Sequence, residues 1–423
     1  MQAVPTPPTG LFLKAMLLAG LLFGASQAGA TNIRVLIASG AAVSVRVPMS
    51  ASLAQNSAAQ NGTAQGASGG VYDWSVTVNG SALSLNGQPY PGDTLYLPPV
   101  PGSSVQIGGR TYRGGVLLKA ARGVVNAVNV ADLEDYLRGV VPAEMPSSWP
   151  LEALKSQAVV ARTYAASHIN PASYYDLCAT DACQVYGGVS RETAQSDAAV
   201  AATRAQVVSY AGAAAKTYFS SDSGGYTASS LEAWGQDLPY LTARPDPASP
   251  GPNSRWTLTL PLAEVGAVAS RYGVRVGQIR SLNIVGVSPS GRATAIVVSG
   301  ASGSKTLQGA DAGGFVRSLG ARSSRINFSG SDPLIITGAG AGHGVGLSQW
   351  GASGWAQVGW NYLQIMGFYY VGASISSILG ADLPGGRLSV GLAFNRATAP
   401  VLPAAAPVPV APLLAAVPTL LGL

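Results

Sequence analysis

Apolar and polar residues alternate along Thr31–Pro48 (IRVLIAS, then VSVRV), the period of strands that bury one face. The same period returns in TVNGSALSL, where Asn79-Gly80 is a hairpin turn signal, and in TLYLPP, VQIGG and GVLLKA. Between them, Ala51–Gly70 is an aperiodic run of Ala, Gln, Ser, Asn and Gly, which predicts a flexible insertion. Together these pieces predict a β-rich accessory region over residues 31–125. From Leu133 the period changes. LEDYLRGVV and LEALKSQAVVARTYAASH carry apolar residues at helical spacing, with Pro150 where a first turn accepts proline. RETAQSDAAVAATRAQVVSY reads as helix formers leaving through a β-branched strand. Strand patterns resume in WTLTLPL, SLNIVGV and ATAIVVSG, with LAEVGAVASRYGV as a short amphipathic helix among them. No repeat of solenoid or propeller period occurs. The predicted fold class is α+β: mixed strands and helices forming a groove over residues 126–385, then an Ala/Pro-rich tail over 395–423.

Composition sharpens this picture. Only 10% of the 423 residues are charged, against about a quarter in ordinary soluble domains, while Gly and Pro are plentiful. That balance suits strands, turns and small-residue loops. Residues 1–30 read as a secretion signal: Lys14, the apolar run Ala15–Ala25, then Ala28-Gly29-Ala30 as a cleavage site. The run is short of the ~20 residues that span a bilayer. An uncleaved anchor is the alternative, and with it a membrane association. Either way the expected location is secreted, periplasmic or cell-envelope. The net charge is +6, or +5 without a leader that carries one lysine and no acid. A mild positive balance favours anionic partners such as wall polymers. No Lys/Arg run interleaved with aromatics is present, so nucleic acid is not expected as a partner.

The supply of reactive side chains narrows the chemistry. The chain has two histidines, His168 and His343, and two cysteines, Cys178 and Cys183. A multi-histidine metal centre cannot be built, and neither HExxH nor a P-loop pattern is present. Ser221-Asp222-Ser223-Gly224-Gly225 resembles the surroundings of a serine nucleophile. Its only upstream histidine, His168, ends a predicted helix, so a tight turn close to a ligand is the better reading. GAGAGHGVG at Gly338–Gly346 has glycine at every second position, a strand-like period with one bare face for close packing or a bulky substrate. His343, with Ser348-Gln349-Trp350 behind it, suits a groove that holds sugars. Cys178 and Cys183, in an exported chain, are expected to pair. The alternative is zinc held by both with His168 and Asp176 or Asp181. Glu144 sits in Pro142-Ala-Glu-Met-Pro146, stiffened by two prolines and just ahead of a predicted helix. Its apolar neighbours Val140, Val141, Met145 and Trp149 favour a raised pKa, the property of a general acid.

Taken together the motifs resemble the SpoIID/LytB family. VPAEMPSSWPLEALKSQAVVARTYA, CQVYGG, SDSGGYT, LPYL and GHGVGLSQWGA stand in family order within residues 105–380. The resemblance implies a lytic transglycosylase that cuts glycan strands already stripped of stem peptides, with no cofactor. The glutamate of the EMP motif would be its acid, here Glu144. Thr227 and Tyr240 would bind substrate, in a groove shared with Ser223, Gly224, Gly225, His343, Gln349 and Trp350. Some relatives bind zinc near the CQVY motif. This chain has Ala182 where they tend to offer histidine, which favours the disulfide. Other relatives enhance wall amidases without chemistry, which makes an amidase a second implied partner beside the glycan strand.

Overall fold

The structure is a computed structural model describing residues 31–48, 70–249, 251–252 and 254–378. The expected leader, the insertion up to residue 69 and the tail lie outside the described residues.

The fold is α+β, with helices set against several open sheets. Asn32–Gly40 runs antiparallel to Val124–Asp132, which pairs in turn with Gly115–Ala121. The opposite edge of Asn32–Gly40 takes Leu177–Cys178 in parallel, completing a five-stranded sheet with Thr94–Leu97. Ala42–Pro48 continues the first strand into a six-stranded antiparallel sheet. Val71–Asn79 turns through Gly80 into Ala82–Leu85, the hairpin signalled by Asn79-Gly80. The expected boundary near residue 125 falls inside strand Val124–Asp132. One apolar core runs from Ile33, Val45 and Leu118 through to Val140, Leu154 and Tyr370.

Two helices carry the site side of that core. Helix α1 (Leu133–Glu144) starts where Asp132 accepts the Glu134 N–H, with Glu134 and Asp135 on the positive end of the helix dipole. It buries Tyr136, Leu137, Val140 and Val141. Helix α2 (Leu151–Ser167) begins after Pro150 and is buried over most of its length. Arg162, fully buried in α2, meets Glu134 of α1 at 2.8 Å and donates to the carbonyls of Val200 and Gln206. That pair binds α1, α2 and helix α3 (Ala194–Ala202) with its exit strand Gln206–Tyr210. Removing one partner would strand a buried charge, at ~3–5 kcal/mol.

After the short helix α4 (Ser230–Trp234), residues 256–338 build a second unit with its own core. Trp256–Leu260 and Ile326–Ser329 flank Leu334–Gly338, and Ile279–Val287, Ala293–Gly300 and Gly303–Gln308 form a meander. Helices α5 (Leu262–Arg271) and α6 (Gly309–Ser318) pack around Ile296, Phe315 and Ile336. The glycine-rich α6, and α7 (Gln349–Gln357), have no helical signal in the sequence strong enough to announce them. Helix α8 (Tyr362–Tyr369) closes the first core.

Candidate active site

Glu144 stands ahead of α2, as expected, and is also the last residue of α1, with Pro142 inside that helix. The reason is local. Proline late in a helix forfeits one backbone bond, while Pro146 holds Met145 extended and ends the helix there. The half-buried carboxyl has two donors. The Val185 N–H reaches Oε1 at 2.7 Å, and the Gln349 side-chain amide reaches Oε2 at 3.5 Å. Burial raises the Glu144 pKa, the two hydrogen bonds oppose the rise, and the charge of Asp181 adds to it. Among the described residues no cation pairs with it. A carboxyl so placed can hold a proton and release it locally.

Val185 is fixed by the loop that follows Leu177–Cys178. Cys178 and Cys183 form a disulfide with Cα atoms 5.5 Å apart, and the Cys178 N–H donates to Cys183 Sγ at 3.1 Å. On either side of Val185, Gln184 accepts from the Tyr136 hydroxyl and Tyr186 donates to Asn129. The donor set does not fit zinc. Both sulfurs are in the disulfide, and His168 is exposed, stacked on Tyr164 with centroids 4.1 Å apart. No group of three or more His, Cys, Asp or Glu converges among the described residues.

Gln349 and Trp350 open α7, capped by the Ser348 side chain. Trp350 packs on Trp149 with centroids 4.6 Å apart, which joins the segment after Glu144 to the start of α7. Ser348 Oγ also accepts the Ser223 N–H at 3.1 Å, which fastens the Ser221–Gly225 turn to the start of α7. That turn is crossed by the glycine-rich segment. Asp222 and Ala341 exchange both backbone hydrogen bonds, at 3.0 and 2.9 Å. The period of two has an origin other than a regular strand. Gly340, Gly342, Gly344 and Gly346 all have positive φ, and the segment is bridged at single residues. A Cβ on Gly340 would lie 2.7 Å from Asp222 O and Gly224 N, and one on Gly224 would lie 2.6 Å from Ala339 C. The bare positions therefore serve backbone packing.

Not every expected residue faces Glu144. Thr227 is buried, its hydroxyl donating to the carbonyl of Thr242 at 2.9 Å. Tyr240 is buried against Tyr210, its hydroxyl accepting the Lys216 N–H at 2.8 Å. Both brace the loop carrying α4. His343 Nδ1 accepts the Val345 N–H at 3.0 Å, and burial, with Arg292 nearby, pulls its pKa down to about 4. It is a neutral, framework imidazole.

Some supporting residues carry no sequence signal. Arg292 of the second unit donates to the carbonyls of Ser223 and Tyr226, at 3.1 and 3.2 Å. Asp246, buried and pushed up to about 6 by that burial, accepts from Ser223 and Tyr369. Only the prolines flanking Asp246 hinted at a fixed loop. The Val185 N–H is backbone, invisible to side-chain reasoning.

A family profile for SpoIID, stage II sporulation protein, matches residues 121–210. Over 266 residues the chain is 32% identical to stage II sporulation protein D of Bacillus subtilis, covering 58% of this chain and 74% of that one. The chain belongs to the SpoIID/LytB family. An uncharacterized protein of Brachyspira hyodysenteriae is 35% identical over 273 residues, 64% of this chain and 73% of that one. The amidase enhancer of Bacillus subtilis is 29% identical over 365 residues, 74% of this chain and 50% of that protein. The stretch matched by the SpoIID profile contains Glu144 and Val185, whereas Gln349 and Trp350 lie outside it.

Proposed function

We propose that this protein works outside the cytoplasm on the bacterial cell wall, as a lytic transglycosylase of peptide-free glycan strands. The observation that carries the reading is the half-buried Glu144 carboxyl, raised in pKa by burial, held by the Val185 N–H and the Gln349 amide and, among the described residues, without a paired cation. Glycosidases that use water need two carboxylates. A transglycosylase needs one, because the nucleophile is on the substrate. Protonated Glu144 gives its proton to the oxygen between MurNAc and GlcNAc, and the C1–O bond breaks to release the GlcNAc 4-hydroxyl. The MurNAc 6-hydroxyl oxygen bonds to C1, closing a 1,6-anhydro ring, and its proton returns to the Glu144 carboxylate. Tethering supplies much of the rate, since the attack is intramolecular. The Val185 and Gln349 donors stabilise the carboxylate formed midway.

Similarity to an amidase enhancer supports a second reading, a glycan-binding protein that stimulates a wall amidase without chemistry. Purified peptide-free strands separate the two. The transglycosylase reading expects 1,6-anhydro ends by mass spectrometry from the parent and none from folded Glu144→Gln. Strand binding without such ends, in both proteins, would leave the enhancer.

A further inference from the structure

Trp234 is unusual among the large apolar side chains. It is 47% exposed, yet its ring is held from two sides. The Tyr218 ring lies 4.5 Å away at 52°, and the His343 ring 5.2 Å away at 59°. The helix that presents it is pinned by a Ser229–Glu232 capping box and stopped by Gly235 in the left-handed region, immediately after the indole. An exposed indole normally costs solubility, and this one is rigidly displayed.

A short strand pair links the support of this ring to the Glu144 site. Tyr218 precedes Phe219–Ser220, which pairs in parallel with Leu347–Ser348, and Gln349 beyond it touches Glu144. The Tyr218 carbonyl accepts the Leu347 N–H, two residues before Gln349, so the platform's support and the carboxyl's donor share one stretch of paired backbone. Polar Gln236 and Asp237 follow the indole, both exposed. On the same helix only Leu231 is a further exposed large apolar residue. A lone flat indole bordered by hydrogen-bonding groups suits a pyranose face better than a protein partner, which needs a wider apolar centre.

We propose that the outer face of Trp234, backed by Tyr218 and His343, is a sugar-stacking subsite that holds the glycan strand at a distance from Glu144. The proposal rests on the glycan-strand reading above. It is tested with the mature chain carrying Glu144→Gln, so that strands stay intact, by calorimetric titration with purified peptide-free glycan strands. Trp234→Ala is expected to weaken binding roughly tenfold, and Trp234→Phe, which keeps an aromatic face, less than about threefold. Leu231→Ala, on the same helix, should stay within about twofold. Trp234→Ala binding as tightly as its parent overturns the subsite. So does an equal loss in Leu231→Ala, which would mark general apolar adhesion. The two readings fail separately: Trp234-dependent binding by a chain that, with Glu144 intact, makes no 1,6-anhydro ends keeps the subsite and removes the transglycosylase.

Discussion

The two cores of this molecule do different jobs at one site. The first, running from Ile33 to Tyr370, is the core beneath Glu144 at the end of α1 and beneath the segments of its two donors, the Val185 loop and the start of α7. The second, over residues 256–338, sends cations and an indole N–H to the backbone behind the site. Arg292 holds the Ser223 and Tyr226 carbonyls, Arg325 holds that of Gly224, and Trp256 donates to Gly340 at 2.8 Å. On the function proposed above, the reacting carboxyl and the braces of the backbone behind it come from separate units. A change at the carboxyl itself should alter rate without stability, whereas a change in the second unit's contacts should alter both.

Glu144→Gln is the sharpest way to probe the first half of that contrast. Loss of a general acid should lower turnover about 10²–10⁴-fold. The melting temperature should hold or rise. A carboxyl whose folded pKa is raised destabilises the fold above its unfolded pKa, and the amide removes that cost at neutral pH. A variant that lost stability along with rate would assign Glu144 a structural role. By the same logic the parent's rate should fall as pH rises through the Glu144 pKa, since the acid form is the one needed.

Gly340→Ala attacks the junction between the units. The new Cβ would meet three backbone atoms, which cannot swing aside, in a left-handed conformation. We expect a loss of at least ~3 kcal/mol in urea unfolding. Gly80→Ala has a similar φ but open space around it, so only the ~1–2 kcal/mol of left-handed strain applies. Equal losses at the two positions would mean the crossing is not tight.

His343 reports the junction through pH. Its folded pKa is lowered from 6.5 to about 4, so the unfolded chain takes up the proton first. Stability is therefore present above about pH 6.5 and lost as pH falls toward 4, by about 3 kcal/mol. Asp246, raised to about 6, has the opposite trend over the same range, since its ionisation weakens the fold as pH climbs from about 4 to 6. Urea unfolding of His343→Gln between pH 4 and 7 should lose the acid-side decline and leave the Asp246 trend. Arg292→Met, which leaves two carbonyls without a donor and removes the cation beside His343, should cost ~2 kcal/mol and raise the His343 pKa. An Arg292 variant with unchanged stability would detach the second unit from the site.

The legible parts were those with a period. Strands such as Asn32–Gly40 and helices such as α2 follow directly from alternation and helical spacing. Glu144 stands out because two prolines flank it, while the extension of α1 through Pro142 carries no signal, since a late proline is merely compatible with helix. The alternating glycines announced close approach correctly but not its form, since left-handed turns and a bare strand face share a period of two. Thr227 and Tyr240 carry polar atoms that a sequence offers equally to substrate or to backbone. Here the backbone of Thr242 and Lys216 takes them. Arg292 and Val185 were out of reach, one because its partners are some 70 residues away in sequence, the other because its donor belongs to the main chain.

A change at the disulfide has the smallest effect expected on rate, and it discriminates within the first unit. Cys178 and Cys183 close a ring of few residues, so their pairing constrains the unfolded chain by only about 2 kcal/mol. The double change Cys178→Ser and Cys183→Ser should lower stability by that amount or less. Its effect on rate depends on what holds the Val185 N–H at 2.7 Å from Glu144. If the flanking bonds of Gln184 and Tyr186 suffice, turnover and its pH profile stay with the parent. If the disulfide is what holds Val185 there, the carboxylate loses its closest donor and the Glu144 pKa rises further, because that bond favours the charged form. The alkaline limb of the rate profile would then move upward. The two buried side-chain bonds, at 3.1 and 3.0 Å, favour the first outcome.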